Sequence, residues 1–414
     1  MRHLILGAGP AGVVAAETLR KADPSSSVTL LGGEVDPPYA RMSIPYLLSG
    51  RLTEEGTYLR KQPDHYRSLG IDLVQGRASS VDAQARSVLL EDGRSLPFDR
   101  LLVATGATPT RQRVPGIELP GVHTCWTLED VRAITAAARP GTRIVQMGAG
   151  FVGCIILEGL VSRGVELTVL VRSGRMVSRM MNPPASAMLR RWCEAKGVRV
   201  LVDTLPEQIR SEGGELRVKL PDGTELAADL YLNLIGVKPN MGFLAGSGVA
   251  VDNGILVDAR LQTSVAGIYA AGDVAESVDI VTGRRQINAI QPNAVEQGRL
   301  AALNMAGRQA AFPGSFAFNV LTTLGLVSSS FGEWQGVPGG ESAELLDEPR
   351  YRYLRLEFLD DRLIGANMVG WTQHIGALRG LIEGKVALGP WKARLMEDPT
   401  RIMPAYLARA QKSA

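Results

Sequence analysis

The 414-residue chain has few of the residues that bind metals or form disulfides. It contains four histidines and three cysteines, Cys125, Cys154 and Cys193. The histidines are scattered and no two cysteines lie in a CxxC spacing, so we predict neither a metal site nor a dithiol centre. Few, unpaired cysteines are typical of a reducing compartment, which favours a cytoplasmic location.

Long apolar runs and a large excess of one charge are also lacking. The most apolar stretch, residues 151–161, is too short to cross a bilayer and contains Glu158. The chain enters the predicted strand His3–Leu6 at once, without the pattern of a signal peptide. The net charge is only +3. We therefore expect no membrane span and no nucleic-acid partner.

Glycine, in contrast, is abundant, with 46 residues, and it forms two fingerprints of the type G-x-G-x-x-G. One follows the apolar run His3–Leu6 and the other follows residues 143–147, so each lies where a strand turns into a helix. The first glycine permits a tight turn, the second lets the backbone approach a pyrophosphate, and the third lets the helix pack on the strand. The phosphates then face the positive end of the helix dipole. The candidate contacts are Gly7, Gly9, Pro10, Ala11 and Gly12 in the first fingerprint, and Gly148, Gly150, Phe151, Val152 and Gly153 in the second.

Two fingerprints in one chain predict two bound dinucleotides, a flavin and a nicotinamide. Their surroundings predict an α/β fold with two Rossmann-like halves, because strand and helix patterns alternate over residues 2–31 and 128–236. The second stretch is predicted to contain a helix over 153–163 and a hairpin around Pro221-Asp222-Gly223. Residues 71–103 have the pattern of a β-meander. From about residue 312, strand-like segments at 352–358 and 363–369, followed by helical segments at 375–383 and 391–396, predict a separate C-terminal α+β domain.

Three further motifs follow the fingerprints in a fixed order, and the set resembles the two-dinucleotide flavoprotein reductases of the pyridine nucleotide–disulfide superfamily. These motifs are Ala104-Thr105-Gly106-Ala107-Thr108-Pro109, Gly236-Val237-Lys238-Pro239-Asn240 and Gly267-Ile268-Tyr269-Ala270-Ala271-Gly272-Asp273. Within the superfamily, the chain is most similar to ferredoxin and rubredoxin reductases and to the flavin portion of NAD(P)H nitrite reductases. That similarity is carried by Pro38-Tyr39-Ala40-Arg41, Trp126-Thr127-Leu128-Glu129-Asp130 and Ala294-Val295-Glu296-Gln297-Gly298.

The resemblance implies an FAD-binding domain in two parts, an NAD(P)H-binding domain and an interface domain. Their expected bounds are 1–107 with 239–311 for FAD, 108–238 for NAD(P)H and 312–414 for the interface. Asp273 is expected to accept hydrogen bonds from the ribityl chain of FAD, and Glu34 from its ribose. The other implied contacts are Arg41, Ala104, Thr105, Gly106, Gly236 and Gly272.

The second predicted strand indicates which nicotinamide nucleotide is bound. NADH-binding relatives usually carry Glu where this chain has Val171, whereas Arg172 and Arg175 follow here. A carboxylate would repel a 2′-phosphate, while an arginine would pair with it. We therefore expect NADPH as the preferred nucleotide. NADH remains the alternative, in which both arginines are solvated loop residues.

The chain departs from the superfamily pattern at the residues that would carry acid–base or thiol chemistry. The helix after residue 40 has no cysteine pair, which disfavours dithiol chemistry. Ferredoxin reductases usually carry Lys where Tyr46 stands and Glu where Ile155 stands. Glu158, one helical turn further on, is either a substitute or an ordinary helix residue. We therefore assign no catalytic residue.

The expected function is an FAD-dependent NAD(P)H oxidoreductase that passes electrons to a carrier such as rubredoxin or ferredoxin. One alternative is direct reduction of a small acceptor, oxygen or a quinone. The other is a redox-sensing or assembly subunit of a larger complex, with Trp334, Trp371 and Trp391 as interface anchors. Analogy with the family implies a homodimer.

Overall fold

The structure, a computed structural model, describes residues 1–409, which form strands and helices in an α/β arrangement. The strands, numbered in chain order, are β1 Arg2–Leu6, β2 Ser27–Gly32, β3 Ile71–Gln75, β4 Ala78–Asp82, β5 Ser87–Leu90, β6 Ser95–Pro97, β7 Arg100–Val103, β8 Ala107–Pro109, β9 Val122–His123, β10 Arg143–Met147, β11 Glu166–Val171, β12 Arg199–Val202, β13 Gln208–Glu212, β14 Glu215–Lys219, β15 Glu225–Ala228, β16 Leu230–Asn233, β17 Val237–Pro239, β18 Ile255–Leu256, β19 Ile268–Ala270, β20 Ala275–Val278, β21 Arg285–Gln286, β22 Phe318–Thr323, β23 Leu326–Gly332, β24 Glu341–Asp347, β25 Arg352–Leu359 and β26 Arg362–Val369. The helices are α1 Pro10–Ala22, α2 Ile44–Leu48, α3 Glu54–Thr57, α4 His65–Ser68, α5 Leu128–Ala137, α6 Phe151–Ile155, α7 Leu157–Val161, α8 Pro183–Ala195, α9 Gln291–Met305, α10 Ile375–Glu383, α11 Pro390–Glu397 and α12 Ile402–Arg409.

The chain divides into two compact units. The first contains residues 1–47, 52–108 and 237–316, and the second contains residues 48–51, 109–236 and 317–414. Each unit contains one of the two glycine fingerprints. The finer domain bounds expected from the sequence stay a prediction.

The first unit is built on a parallel sheet of strand order β19-β7-β1-β2-β3. Its strands are rich in Leu, Ile and Val, as expected for a sheet buried on both faces, and Leu4, Ile5 and Leu6 are at most 2% exposed. The predicted meander was wrong at its two ends, because β3 and β7 belong to this parallel sheet. Of the strands in the predicted meander, only β4, β5 and β6 form an antiparallel sheet. Periodicity alone does not tell which strands pair.

The second unit has a parallel sheet of order β12-β11-β10-β16-β9 and an antiparallel sheet of β13, β14 and β15. The predicted turn at Pro221-Asp222-Gly223 joins β14 to β15, as expected. The single helix predicted over 153–163 is instead two short helices, α6 and α7, separated at Ile156. α8 begins at Pro183, where the side chain of Asn182 accepts a hydrogen bond from the backbone of Ala185.

The second unit also contains an antiparallel sheet of order β22-β23-β26-β25-β24, with helices α10, α11 and α12 following it in the chain. The sequence predicted only β25 and β26 of these strands. β23 was missed because it contains Ser328, Ser329 and Ser330, which are each 1% exposed. Serine is usually found at the surface, so this segment lacks the apolar alternation of a strand.

We find no helix within residues 1–409 that combines the length and apolar character needed to cross a membrane.

Candidate dinucleotide-binding sites

The first fingerprint forms a turn that leaves no room for side chains. Gly7 has a φ of +110°, and a Cβ there would lie 2.1 Å from the carbonyl oxygen of Ala104. A Cβ at Gly12 would lie 1.8 Å from the carbonyl oxygen of Gly7. Gly9 is the N-cap of α1 and offers no side-chain cap, while Pro10 starts the helix. The first N–H groups of α1 therefore point out of a bare backbone turn, which suits a pyrophosphate.

Helix α9 packs against α1 as closely as the turn packs against β7. A Cβ at Gly298 would lie 2.2 Å from the carbonyl oxygen of Ala11. Its neighbour Gln297, 3% exposed, accepts a hydrogen bond of 2.8 Å from the backbone N–H of Gly272. The motif that ends at Asp273 is thereby fixed close to the first fingerprint within the same unit.

The carboxylate of Asp273 is half-buried and makes no hydrogen bond with any residue in 1–409. Burial raises its pKa, and the positive charge of Arg41 partly opposes that shift. A carboxylate that is partly removed from water and has no donor is destabilised, and a hydroxyl donor would relieve that cost. The residue therefore fits the ribityl chain of FAD.

Glu34 and Arg41, which the sequence proposed separately, lie together in one cluster with Tyr39. One carboxylate oxygen of Glu34 accepts a hydrogen bond of 2.5 Å from Arg41, and the other accepts one of 2.6 Å from the Tyr39 hydroxyl. Arg41 also donates to the Tyr39 hydroxyl over 2.9 Å. A carboxylate has about four acceptor positions, so Glu34 keeps capacity for ribose hydroxyls. The sequence indicated Tyr39 only as part of the motif Pro38-Tyr39-Ala40-Arg41, and its contacts with both Glu34 and Arg41 were missed.

The crossover motif of the first unit is held by Asn240. Its carbonyl oxygen accepts a hydrogen bond of 2.7 Å from the Thr105 hydroxyl, and its side-chain amide donates one of 2.9 Å to the Thr105 carbonyl. The hydroxyl of Thr108 donates to the Asn240 side chain over 2.7 Å. Gly106 lies between the two threonines with a φ of +60°. The residues Ala104, Thr105 and Gly106 are therefore rigidly placed at the end of β7.

The second fingerprint repeats the construction of the first. Gly148 has a φ of +108°, and a Cβ there would lie 2.3 Å from the carbonyl oxygen of Leu234. A Cβ at Gly153 would lie 2.3 Å from the carbonyl oxygen of Gly148. Gly150 is the N-cap of α6, again without a side-chain cap, and Phe151 starts the helix. A second bare turn therefore faces a helix N-terminus.

Sequence reasoning missed Gln146, which supports this turn from below. Its side chain is fully buried, and its amide donates to the carbonyls of Gly148 and Gly153 over 2.9 and 3.0 Å. A buried glutamine at the end of a parallel strand, two residues before the first glycine, is the signal that could have identified it.

An open cleft of about 550 Å³ lies beside the loop that follows β11, and Arg175 is one of its lining residues. Arg172 is exposed and makes no hydrogen bond or ion pair with any residue in 1–409. Among residues 1–409, no acidic side chain lines the cleft, although Asp203 lies close by and accepts a hydrogen bond of 2.9 Å from the Gly174 backbone. The lining residues are Ser173, Gly174, Arg175, Ser178, Pro183, Ser186, Ala187 and Arg190. Hydroxyl and guanidinium donors of this kind suit an anionic group.

The candidate substitute Glu158 is already paired. Its carboxylate accepts a hydrogen bond from Arg51, in the same unit. The helix that carries it lies against the chain at Leu48, since a Cβ at Gly159 would come within 2.8 Å of the Leu48 side chain. Arg51 and Glu158 therefore act first as a link between residues 48–51 and α7.

All three cysteines are buried and free. Burial raises the pKa of the Cys125 and Cys193 thiols to about 12, and it raises that of Cys154 well above the usual value. The Cys154 sulfur lies 3.4 Å from the carbonyl oxygen of Ala149, to which the thiol donates. Because the thiolate is the reactive form, none of the three is prepared for thiol chemistry.

Comparison with known proteins agrees with this geometry. The family described as pyridine nucleotide-disulphide oxidoreductase matches residues 1–298. The chain is 30% identical over 97% of its length to the NADH-dependent phenylglyoxylate dehydrogenase subunit epsilon of Aromatoleum evansii, and the match covers 96% of that protein. It is 34% identical to the probable ferredoxin reductase CtmF of Castellaniella defragrans, over 74% of this chain and 76% of that one. A crystal structure of a covalent putidaredoxin reductase–putidaredoxin complex superposes with a TM-score of 0.89 and 25% identity, covering 98% of this chain and 99% of the other.

Proposed function

Since the chain belongs to the pyridine nucleotide-disulphide oxidoreductase family, we propose that it oxidises NADPH through FAD and delivers the electrons to a small protein carrier. The protein is an FAD-dependent NAD(P)H oxidoreductase.

The state of the cysteines is the observation that supports an electron acceptor outside the chain. All three are buried, unpaired and held as thiols, so no dithiol within the chain can take electrons from the flavin. FAD, when bound, accepts two electrons from a reduced nicotinamide and can release them one at a time. An acceptor outside the chain must therefore collect them. The likeness to a reductase bound to its carrier protein supports a carrier as that acceptor.

We assign the FAD to the first unit. The bare turn at Gly7, Gly9 and Gly12 holds the pyrophosphate, and Asp273 accepts hydrogen bonds from the ribityl hydroxyls. The Glu34 carboxylate binds the ribose while Tyr39 and Arg41 hold it in place.

We assign the nicotinamide nucleotide to the second unit, with its pyrophosphate at the Gly148–Gly153 turn. Arg172 and Arg175 then lie beyond the end of β11, where the adenosine ribose is bound in this fold. Because Val171 is apolar and 2% exposed, no carboxylate at that position opposes a 2′-phosphate. This arrangement supports NADPH over NADH.

Anaerobic stopped-flow bleaching of the flavin absorbance tests the proposal in two steps. NADPH should bleach the flavin at least ten times faster than NADH at equal low concentration, the effect of one or two charge-assisted hydrogen bonds. The reduced enzyme, mixed with a ferredoxin or rubredoxin, should then reoxidise faster than with air-saturated buffer. If oxygen reoxidised the enzyme faster than every carrier tried, the proposed carrier would be wrong and a small molecule would be the electron acceptor.

A second candidate function is supported by the relative from Aromatoleum, which matches through the C-terminal residues as well. In this second function, the present chain is the electron-transfer subunit of a larger dehydrogenase. Native mass spectrometry of the protein purified from its source distinguishes the two functions. Stable heteromeric partners would favour the subunit, whereas the chain by itself or as a homodimer would favour the free reductase.

We further propose a homodimer and a cytoplasmic location, the latter because free, unpaired cysteines suit a reducing compartment.

A further inference from the structure

The loop between β11 and α8, residues 172–182, carries a strained residue at its centre. Val177 has a φ of +43°, a conformation that costs a β-branched side chain free energy. Its side chain is 2% exposed, and Met176 and Met181 beside it are fully buried. A loop with a buried, strained centre has one defined shape, and contacts around it must maintain that shape.

The front of the loop is tied to the second glycine fingerprint. The backbone N–H of Val177 donates a hydrogen bond of 2.7 Å to the carbonyl of Ala149, which lies between Gly148 and Gly150. The backbone N–H groups of Met180 and Met181 donate to the carbonyl of Val177 over 2.8 and 2.9 Å. The position of the loop is therefore coupled directly to the turn proposed to hold the pyrophosphate.

The rear of the loop is tied to the antiparallel sheet. Asn367, on β26, is fully buried, and its side-chain amide donates to the Met180 carbonyl over 2.8 Å. Its side-chain oxygen accepts a hydrogen bond of 2.9 Å from the backbone N–H of Asn182. The Asn182 side chain in turn donates to the Tyr353 hydroxyl on β25. A buried asparagine thus uses both of its polar atoms on the backbone of this loop.

We propose that Asn367, assisted by Tyr353, is a positioning residue that fixes residues 172–182 in the shape required to bind the adenosine end of the nicotinamide nucleotide. The inference rests on the proposed function, which places that end of the nucleotide beside Arg172 and Arg175. It gives the antiparallel sheet a part in nucleotide binding, although neither Asn367 nor Tyr353 lines the cleft.

A control at the neighbouring buried position separates a positioning role of Asn367 from a general role in the stability of the sheet. Ser330 pairs with Asn367 across β23 and β26, is 1% exposed, and has no hydrogen-bond partner for its hydroxyl within residues 1–409. The sheet therefore accepts a buried polar side chain there without using it. Ser330→Ala is a matched control, because it changes the neighbouring buried position and leaves the loop contacts intact.

The test measures binding of 2′,5′-ADP by titration calorimetry and hydrogen exchange of residues 172–182 in the FAD-loaded enzyme. Asn367→Ala should raise the Kd for 2′,5′-ADP about tenfold and accelerate exchange in the loop, since two hydrogen bonds are lost. Tyr353→Phe removes one hydroxyl from an intact ring and should raise the Kd about threefold. Ser330→Ala should leave both quantities unchanged.

A flavin-containing Asn367→Ala enzyme with wild-type Kd and wild-type loop exchange would overturn the inference. If Asn367→Ala does not fold, Tyr353→Phe decides it by the same criteria. Failure of the proposed NADPH preference has a different signature: the wild-type enzyme would bind NADH but not 2′,5′-ADP. The variants would then be compared with NADH as the probe, and a raised Kd in Asn367→Ala would still support its positioning role.

Discussion

Gly298→Ala provides a sharp test of how the first unit is assembled. The new Cβ would lie 2.2 Å from the carbonyl oxygen of Ala11 and 3.0 Å from its Cα. Carbon and oxygen atoms approach to about 3.3 Å, so α9 and α1 must separate by about 1 Å. Rotation of a side chain cannot relieve the clash, because the opposing atoms are backbone atoms of α1.

Two opposing contributions determine how Gly298→Ala changes the free energy of unfolding. Alanine gains up to about 1 kcal/mol over glycine within a helix. Overpacking against a fixed backbone costs about 1–3 kcal/mol, and here it falls at the upper end of that range. We therefore expect a net loss of about 1–2 kcal/mol and a Tm lower by about 2–8 °C. Because α1 begins at the first fingerprint, the flavin content of the purified variant should also fall.

The assay compares Tm and the ratio of flavin to protein absorbance with those of Gly376→Ala. Gly376 is an exposed glycine in α10, and a Cβ there would meet nothing within 4 Å. That control should be neutral or slightly stabilising and should retain its flavin. If Gly298→Ala kept the Tm and the flavin content of Gly376→Ala, the close α1–α9 contact would not support the FAD site.

Three other predictions follow from the site and the core. Arg172→Ala should lower kcat/KM for NADPH about 10- to 100-fold and leave kcat/KM for NADH within about twofold. Arg199 is an exposed arginine at the start of β12, and Arg199→Ala should change neither value. Equal losses of kcat/KM for both nucleotides in Arg172→Ala would refute selection of the 2′-phosphate by Arg172. Native enzyme should show no alkylation by iodoacetamide at pH 8, since burial keeps the cysteines protonated, and mass spectrometry showing rapid modification would contradict this. Burial lowers the pKa of His3, whose Nε2 donates to Asp23 and whose buried Nδ1 has no hydrogen-bond partner within residues 1–409. Protonation of His3 therefore favours unfolding. The contribution of neutral His3 to the free energy of unfolding is fully present above the ordinary histidine pKa of about 6.5 and is lost as pH falls below it. Between pH 7.5 and 5, the Tm should therefore fall more steeply for the wild type than for His3→Gln. Parallel curves of Tm against pH for the two proteins would contradict this.

Local motifs in the sequence were sufficient to predict the two nucleotide turns. Gly7 and Gly148 adopt positive φ, and the third glycine of each fingerprint lies against the carbonyl of the first. Such constraints depend on a few adjacent residues, so they are visible in sequence. The family and its cofactors followed from the order of these motifs.

Pairing over long distances could not be read in the same way. Nothing in the residues of β3 and β7 indicated that they belong to one parallel sheet, since the composition of an apolar strand does not identify the strand it pairs with. β23 escaped notice because its buried serines look like a loop. The cluster of Glu34, Tyr39 and Arg41 depended on how the chain turns after β2.

Residue type and short spacing were enough to predict the α/β class and the two dinucleotide turns, and to show that no two cysteines have CxxC spacing. The burial of the thiols, the pairing of Glu158 with Arg51 and the hydrogen bond from Asn367 to Met180 became visible only in the folded chain. Asn367 and Met180 are 187 residues apart. A hydrogen bond between residues so far apart in the chain forms only after packing has positioned both the sheet and the loop. A local sequence pattern therefore could not predict it.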